Sequence, residues 1–305
     1  MLVTNKDLLL PAYEKAYAVG AFNVYNLESL LGVIEAAVEE ESPAIIAITP
    51  SAIKYAGLAY LSAIVRTASE LTPIPISLHL DHGDGLEVVS KCIDNGFTSV
   101  MIDGSFLEFK DNVSLTKKVV DIAHPKGVSV EAELGRITGV EEKTVEEKES
   151  ALTDPNMARE FVKSTSIDAL AVAIGTSHGA YKFKTEPKLD FTRLELIKEK
   201  IHVPLVLHGA SSVPSWIVKK ASKYGAQLSG AKGIPEEHIK RAISLGVTKI
   251  NIDTDLRLAF IASIREFLIE SPKEFDPRKI LRTTKDAIKE IVKNKIQLFG
   301  SSKKI

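Results

Sequence analysis

The feature that most constrains this chain is a regular alternation of short apolar runs with longer stretches of helical spacing. Eight apolar runs, each bounded by turn residues, fall at residues 18–24, 44–49, 76–81, 99–103, 128–134, 169–175, 204–209 and 249–254. Near-continuous apolarity is what a parallel strand buried on both faces requires, so the runs predict a parallel sheet. Eight repeats of strand and helix favour an α/β fold in which the sheet closes, a (β/α)8 TIM barrel, over an open sheet.

The intervening stretches predict crossover helices whose charged faces point to solvent, at residues 27–41, 58–71, 86–95, 112–126, 156–165 and 235–245. Two segments, 136–150 and 225–233, interrupt the rhythm and are interpreted as inserted surface loops. The first is a candidate mobile element, because long loops on such a barrel often act as lids. From Asp276 onward a C-terminal helical extension is predicted, starting at Asp276-Pro277 and stopping at Gly300. We expect one barrel domain over residues 1–305.

Composition excludes several classes of function. Lys plus Arg total 39 against 40 for Asp plus Glu, so the net charge of −1 offers no global attraction for nucleic acid or an anionic membrane. No apolar run approaches the roughly 20 residues of a membrane span, and the N-terminus has no secretion signal. The single cysteine, Cys92, cannot form an internal disulfide and is predicted to be a buried thiol. These observations predict a soluble, cytoplasmic protein that holds any anionic ligand in a local site.

Polar residues gather where the predicted strands end. At or just after the eight carboxyl ends the sequence has Asn23, Thr49, Asp81, His82, Asp103, Glu133, His178, His208, Asn251 and Asp253. In a barrel all these ends surround one mouth, which is where the active sites of this fold lie. Residues spread over most of the chain are therefore expected to meet in a single pocket.

Three of the seven histidines, His82, His178 and His208, are followed by glycine directly after an apolar run. One such pair is usually a turn, but three at strand ends predict a shared ligand. Glycine lets the backbone approach closely, and three neutral imidazoles leave one position of a tetrahedral zinc ion open for substrate, as in catalytic sites. The other four histidines are interpreted as ordinary helix, strand or surface residues.

Carboxylates complete the predicted site. Glu133 and Asp103 are expected beside the metal, either as ligands in a second position or as groups that orient an imidazole. Asp81, next to His82, is placed to exchange a proton with the substrate. Glu141 and Glu142 could bring another carboxylate on the mobile loop, although a solvated run of charge explains them equally well.

A phosphate site is predicted independently of the metal. Small residues, hydroxyls and backbone N–H groups follow the last three strands at Gly179, at Gly209, Ala210 and Ser211, and at Asn251, Ile252, Asp253 and Thr254. The last two strands of this fold often hold phosphate, and Lys182 and Arg257 can add charge. No Walker or dinucleotide-binding motif occurs, which disfavours nucleotides.

Over nearly its whole length the sequence resembles the class II fructose-bisphosphate aldolases. The segments that carry the resemblance are GAFN (20–23), LHLDHG (78–83), FTSVMID (97–103), VEAELG (130–135), AIGTSHG (173–179), PLVLHGAS (204–211) and NIDTDLR (251–257). The resemblance implies that His82, His178 and His208 bind catalytic zinc and that Asp81 is the proton donor. It also implies dihydroxyacetone-phosphate contacts in the phosphate segments, a nearby monovalent cation (Na⁺ or K⁺), and a homodimer or homotetramer in which Arg278 reaches a neighbour's pocket.

Several alternatives remain open at this stage. Tagatose-bisphosphate aldolases belong to the same family, and Thr49-Pro50 and Gly104-Ser105 are similar to that group. Residues 225–233 and 253–257 are similar to the fructose enzymes instead, while Phe106 stands where both groups commonly have histidine. A zinc hydrolase would use the same imidazoles to activate water. A Schiff-base aldolase would need a lysine, for which Lys182 is the near candidate, and a barrel kept only for binding is the third rival.

Overall fold

The computed structural model describes residues 1–139, 151–178, 187–228 and 231–305. Eight parallel strands close into a barrel in the order β1-β10-β9-β7-β5-β4-β3-β2, which confirms the predicted TIM barrel. These strands are β1 (Val19–Asn23), β2 (Ala44–Ile48), β3 (Ile76–Gly83), β4 (Ser99–Ile102), β5 (Ser129–Leu134), β7 (Ala169–Val172), β9 (Leu205–Leu207) and β10 (Val247–Ile252). Two short strands, β6 (Thr138–Gly139) and β8 (Ser177–His178), pair with each other beside the barrel.

The helices within the described ranges surround the barrel. They are α1 (Asn5–Lys15), α2 (Leu27–Glu39), α3 (Pro50–Ala56), α4 (Leu58–Glu70), α5 (Leu86–Asp94), α6 (Phe109–Ala123), α7 (Pro155–Thr165), α8 (Phe191–Lys200), α9 (Ser215–Lys223), α10 (Glu236–Ser244), α11 (Thr254–Glu270) and α12 (Pro277–Phe299). All six predicted crossover helices are present. The C-terminal helix is also confirmed, since Asp276 caps the start of α12 and Gly300 ends it in a left-handed conformation.

Helix α1 closes the amino-terminal end of the barrel. The Thr4 hydroxyl accepts from the Asp7 backbone N–H, and the Asp7 carboxylate accepts from the Thr4 N–H, a reciprocal cap that fixes where the helix begins. Its buried face, including Leu8 and Leu9, packs against side chains of β1 and β2 that point into the barrel. The opposite end of the barrel is left for the pocket.

Alternation along the strands decides which residues can reach that pocket. In β1 and β2, Phe22 and Ile46 point outward into the core between strands and helices, while Ala21 and Ala47 point inward. Inward positions recur every second residue and end at the carboxyl mouth. No helix in the described ranges is both long and apolar enough to cross a membrane.

Candidate metal centre and active site

The structure brings His82 and His208 together at the mouth of the barrel. His82 lies in β3 and His208 directly follows β9, and their ring centroids are 4.7 Å apart. Ligand atoms of these two imidazoles and of Asp81 all lie within 4.8 Å of one another, and the three side chains are buried. Residues more than 120 positions apart thus form one compact set of metal donors.

Asp103 and Glu133 lie beside the two histidines. His82 Nδ1 is 3.2 Å from an Asp103 carboxylate oxygen, and His208 Nδ1 is 2.9 Å from Glu133 Oε2. Ligand atoms of His82, Asp103 and Glu133 form a second group within 4.8 Å. The backbone N–H and the hydroxyl of Ser105 donate to the other oxygen of Asp103, which orients that carboxylate. Each carboxylate can therefore act as a ligand or as a partner that orients an imidazole.

The electrostatics of the cluster favour positive charge. Burial lowers the pKa of His82, but the carboxylates of Asp81 and Asp103 outweigh it and raise that pKa well above the usual value. Burial likewise opposes protonation of His208, yet hydrogen bonds to Glu131 and Glu133 raise its pKa. Two imidazoles among four carboxylates form a donor set of the mixed nitrogen and oxygen type that zinc accepts. The donor set thus fits a divalent cation.

The glycines after the histidines act in different ways. A Cβ on Gly83 would come within 2.4 Å of the Met101 carbonyl oxygen, so β3 and β4 can approach here only because residue 83 lacks a side chain. The positive φ in this turn belongs to His82 itself, at +50°. Gly209 has a φ of +60°, and a Cβ there would meet the backbone of Ser177 at 2.6 Å. The chain after His208 is thereby held against the residue that precedes His178.

The third predicted ligand is positioned through its backbone alone. His178 ends β8 and pairs with Gly139 of β6, so the segment leading to Glu141 and Glu142 starts beside it. The side chain of His178 lies outside the part of the chain that the structure describes. The same holds for every atom of Glu141, Glu142, Gly179 and Lys182. Their roles stay predictions.

Asp81 is held between two side-chain amides. Nδ2 of Asn23 donates to one carboxylate oxygen at 2.8 Å, and Nδ2 of Asn251 donates to the other at 2.8 Å. Burial alone would raise the pKa of Asp81, but the charges of His82 and Lys249 outweigh burial and hold that pKa far below its usual value. Asp81 is therefore an oriented carboxylate at neutral pH, and β1, β3 and β10 together fix its direction.

A cavity of about 470 Å³ opens next to Asn23. Thr49, Tyr55 and Arg257 line it, and Arg257 forms an ion pair with Asp253 in which Nη2 and Oδ2 are 2.7 Å apart. The guanidinium is thus aimed at the mouth by a buried carboxylate. The cavity brings the predicted residues Asn23, Thr49 and Arg257 together.

The predicted phosphate segments lie at the ends of β9 and β10. Ala210, Ser211, Ile252 and Thr254 are buried, and Thr254 is the first residue of α11. The first turn of a helix has N–H groups without partners inside the helix, which suits an anion. Arg278, in contrast, is an exposed residue at the start of α12 whose guanidinium pairs with Asp276 of its own chain.

A buried polar layer beneath the metal donors was missed by sequence reasoning. Lys249 Nζ is 2.9 Å from Glu131 Oε2, and Glu131 Oε1 is 3.0 Å from His208 Nε2. His79 lies next to this pair, with Nδ1 2.9 Å from Ser99 Oγ and 3.2 Å from the Asn5 amide. Burial and the Lys249 charge lower the pKa of His79 to about 3, so its imidazole is neutral.

The two-residue spacing along each strand was the sequence signal that could have identified this buried polar layer. Glu131 stands two residues before Glu133, Lys249 two before Asn251, and His79 two before Asp81. Residues two apart in a strand share a face, so these three had to point into the barrel below the recognised site. A charged residue inside an otherwise apolar strand is expensive unless it is paired, and that cost indicates a partner on a facing strand.

Comparisons with known proteins agree with the geometry. The family model described as fructose-bisphosphate aldolase class-II matches residues 3–228 and 227–304. A fructose-bisphosphate aldolase of Thermus caldophilus is 51% identical over 99% of both chains, and one of Helicobacter pylori is 48% identical over 100% of both.

Solved structures give the same result. The YdjI aldolase from Escherichia coli K12 superposes with a TM-score of 0.82 at 36% identity, covering 100% of this chain and 99% of the other. A putative fructose-1,6-biphosphate aldolase from Coccidioides immitis gives 0.82 at 30% identity, with 98% and 96% covered. With its barrel, clustered metal donors and full-length relatives, the chain belongs to the class II fructose-bisphosphate aldolase family.

Proposed function

We propose that this protein is a zinc-dependent aldolase that reversibly cleaves fructose 1,6-bisphosphate into dihydroxyacetone phosphate and glyceraldehyde 3-phosphate. The observation that carries the proposal is the position of Asp81, a fixed carboxylate whose oxygen lies within 4.8 Å of the donor atoms of His82 and His208. A proton-transfer group next to a metal site is what cleavage of a carbon–carbon bond beside a ketone requires.

His82, His178 and His208 would hold the zinc ion, and Asp103 and Glu133 would offer a second position for it. When bound, zinc supplies Lewis-acid chemistry, which stabilises negative charge on the ketone oxygen. Nε2 of His208 lies against Glu131 and its Nδ1 against Glu133. One nitrogen can therefore turn to the metal while the other donates to a carboxylate that fixes the tautomer.

Asp81 would move the proton at the hydroxyl next to the bond that breaks. In the cleavage direction its carboxylate accepts the proton of the C4 hydroxyl, and in the synthetic direction it returns that proton to the aldehyde oxygen. The charges of His82 and Lys249 hold the pKa of Asp81 far below its usual value, so its carboxylate carries no proton at neutral pH before the substrate binds. The amides of Asn23 and Asn251 aim both oxygens, so proton transfer needs no rearrangement.

A loop carboxylate, Glu141 or Glu142, would exchange the second proton, on the carbon next to the ketone. The pairing of Gly139 with His178 supports this role, because it ties the start of that loop to the backbone of a proposed zinc ligand. Closure of such a loop would exclude water from the pocket.

The two phosphates would bind on opposite sides of the metal. Gly179, Gly209, Ala210 and Ser211, with Asn251, Ile252, Asp253 and Thr254, would hold the phosphate of the dihydroxyacetone half. The cavity with Asn23, Thr49 and Arg257 suits the aldehyde half, because Arg257 is aimed there by Asp253. Lys182 would add charge, and so would Arg278 from a neighbouring subunit in the homodimer or homotetramer that the family resemblance implies. A monovalent cation and a cytoplasmic location complete the proposal.

Family membership argues against a hydrolase or a binding-only barrel, and the relatives favour fructose 1,6-bisphosphate over the tagatose epimer. Metal analysis of the purified protein combined with an aldol-cleavage assay tests the proposal. We expect bound zinc and cleavage that EDTA abolishes and added zinc restores. Trapping of a substrate adduct by borohydride, or full activity in EDTA, would instead indicate a Schiff-base mechanism through a lysine such as Lys182.

A further inference from the structure

We infer that a buried ion pair between Asp255 and Lys295 positions the two phosphate segments relative to each other. Asp255 follows Thr254 in the first turn of α11, and Lys295 lies in the last turns of α12. Neither residue belongs to the proposed metal or substrate contacts. The inference rests on the proposed function, because it assigns the pair to the site that would hold the dihydroxyacetone phosphate.

Asp255 links one phosphate segment to the other. Its side chain is completely buried, and Oδ1 accepts from the Val213 backbone N–H at 2.8 Å while Oδ2 accepts from the Ser212 N–H at 3.2 Å. Ser212 and Val213 directly follow Ser211, and Asp255 directly follows Thr254. One carboxylate thus fixes the distance between the end of β9 and the start of α11.

Asp255 restrains Val213 in a strained backbone conformation. Val213 has a φ of +47°, in the left-handed region that a β-branched residue rarely adopts. Such a conformation persists only where its surroundings impose it. The hydrogen bond from the Val213 N–H to Asp255 is the direct restraint, so the loop should relax if that carboxylate turns away.

Lys295 keeps Asp255 in place. Its Nζ is 2.8 Å from Asp255 Oδ2 and donates to the Ser212 hydroxyl, and the residue is 3% exposed. A buried carboxylate without a compensating cation would be driven toward solvent or toward protonation. The last helix of the chain therefore supports a loop that lies 83 residues earlier in the sequence.

One side of this loop borders a cavity. Pro214 and Ser215, which come next in the chain, line a cavity of about 610 Å³ between α9, α10 and α12, and Lys295 lines it too. On the other side, the Ile234 N–H donates to the Ser211 carbonyl at 3.1 Å, where the absence of a side chain on Gly233 allows close approach. Val213 packs into the core, and on the cavity side the Asp255–Lys295 pair adds a restraint on the position of the loop.

The test compares Lys295→Met with the wild-type zinc-loaded enzyme. Inorganic phosphate as a competitive inhibitor and dihydroxyacetone phosphate as a titrated ligand are the probes. We expect Lys295→Met to weaken both about tenfold, the scale of a lost charge-assisted hydrogen bond, and to raise KM similarly with kcat nearly unchanged. Zinc affinity should not change, and Lys295→Arg should recover most of the loss.

Two further variants guard against a general loss of stability. Lys289→Met removes an ion pair with Glu39 from the same helix, away from the loop, and should leave phosphate binding as in wild type. The double variant Lys295→Met with Asp255→Asn leaves no buried charge uncompensated and should fold even if the single variant does not. It should still bind phosphate weakly.

The outcomes separate the two proposals. If the wild-type enzyme binds phosphate and dihydroxyacetone phosphate but the Lys295 variants bind them equally well, the positioning role is overturned and the proposed function stands. If zinc-loaded wild type binds neither probe, the proposed function fails and the inference falls with it. Weakening in the Lys295 variants with intact zinc binding supports both.

Discussion

At the scale of single residues, the proposed chemistry depends on how the Asp81 carboxylate is oriented. The Asn23 and Asn251 amides each donate to one of its oxygens, so the carboxylate cannot rotate without losing a hydrogen bond. Asp81 accepts hydrogen bonds from these two amides, while His82 lies against Asp103 and His208 against Glu133. Proton transfer and metal binding are therefore separable by mutation.

Asp81→Ala should lower turnover by about 10²-fold or more, the usual scale for a general acid or base. Zinc content should remain near wild type, because the proposed zinc ligands are the three histidines and not Asp81. Steady-state kinetics with metal analysis on the same preparation provide the measurement. An active variant would exclude Asp81 as the proton-transfer group.

The lowered pKa of His79 implies that this residue makes a pH-dependent contribution to the free energy of unfolding. Its pKa is lowered from 6.5 to about 3 by burial and by Lys249, so below pH 6.5 the unfolded chain takes up a proton that the folded chain does not. Its stabilising contribution is therefore complete above pH 6.5 and falls as the pH drops toward 3. Between pH 7 and pH 5 the loss from this residue is about 2 kcal/mol.

His79→Gln should have a lower free energy of unfolding than wild type at pH 7. The difference in unfolding free energy between the two proteins should shrink by about 2 kcal/mol at pH 5. Urea denaturation at the two pH values measures it. His202→Gln, which changes an exposed histidine, is the matched control and should keep the same difference from wild type at both. A gap of constant size for His79→Gln would show that this imidazole titrates normally in the folded protein.

Sequence reasoning selected residues that the structure brings together where a side chain ends or follows an apolar strand. His82, His208, Asp103, Glu133 and Asp81 were all recognisable, because strand ends in a barrel share one mouth. Glu131, Lys249 and His79 were not, because each lies inside a strand rather than at its end, and its partner lies on another strand. The period of two places these side chains inside the barrel, but it does not show which of them pair with one another.

At the scale of elements, all eight strands of the barrel could be predicted and several helices could not. Helix α1 contains Pro11, which normally interrupts a helix, and only its packing against the inner ends of β1 and β2 offsets that. α3 has 7 residues, too few for a clear periodic signal. Local pattern was sufficient for strands, whereas these helices depend on tertiary contacts.

Glu131 of β5 contacts both His208, which follows β9, and Lys249 of β10, and these contacts lead to a prediction about zinc affinity. Lys249 and His208 lower the pKa of Glu131 to about 2 against the effect of burial, so Glu131 stays ionised and accepts from His208 Nε2. Lys249→Met and Glu131→Gln should each weaken zinc binding about 10- to 100-fold, the range for partners of metal ligands. Because both residues act through His208, the double variant should bind zinc about as tightly as the single variant with the lower zinc affinity.

Competition with a chelator of known affinity measures these zinc constants. Lys126→Met, which removes only an exposed ion pair with Asp94, is the control and should bind zinc like wild type. Additive losses in the double variant would show that Lys249 acts independently of Glu131. Unchanged zinc affinity in both single variants would remove the polar layer from the metal site altogether.

At the scale of the whole molecule, the barrel converts distant sequence positions into one site with two separate halves. The phosphate segments follow β9 and β10, whereas the cavity with Thr49 and Arg257 lies beside β1 and β2. Because β1 and β10 are neighbours in the barrel, the two halves share a wall formed by Asn23 and Asn251. Asp81 is bound by both of these residues and so lies where the halves of a bisphosphate would meet.

That position leads to a prediction on substrate choice. Fructose and tagatose 1,6-bisphosphate differ only in the configuration at C4, which bears the hydroxyl that Asp81 would deprotonate. A carboxylate fixed by two amides can meet that hydroxyl on one face only, so the other epimer must bind in a distorted pose. We expect kcat/KM to be at least about 10-fold higher for fructose 1,6-bisphosphate, the scale of one misplaced contact in a transition state. Parallel progress curves with the two epimers at equal zinc loading measure the ratio. Equal kcat/KM values for the two epimers would mean that Asp81 is not the group that selects the C4 hydroxyl. A higher value for tagatose 1,6-bisphosphate would reverse the assignment of substrate but would leave the proposed metal site and its chemistry in place.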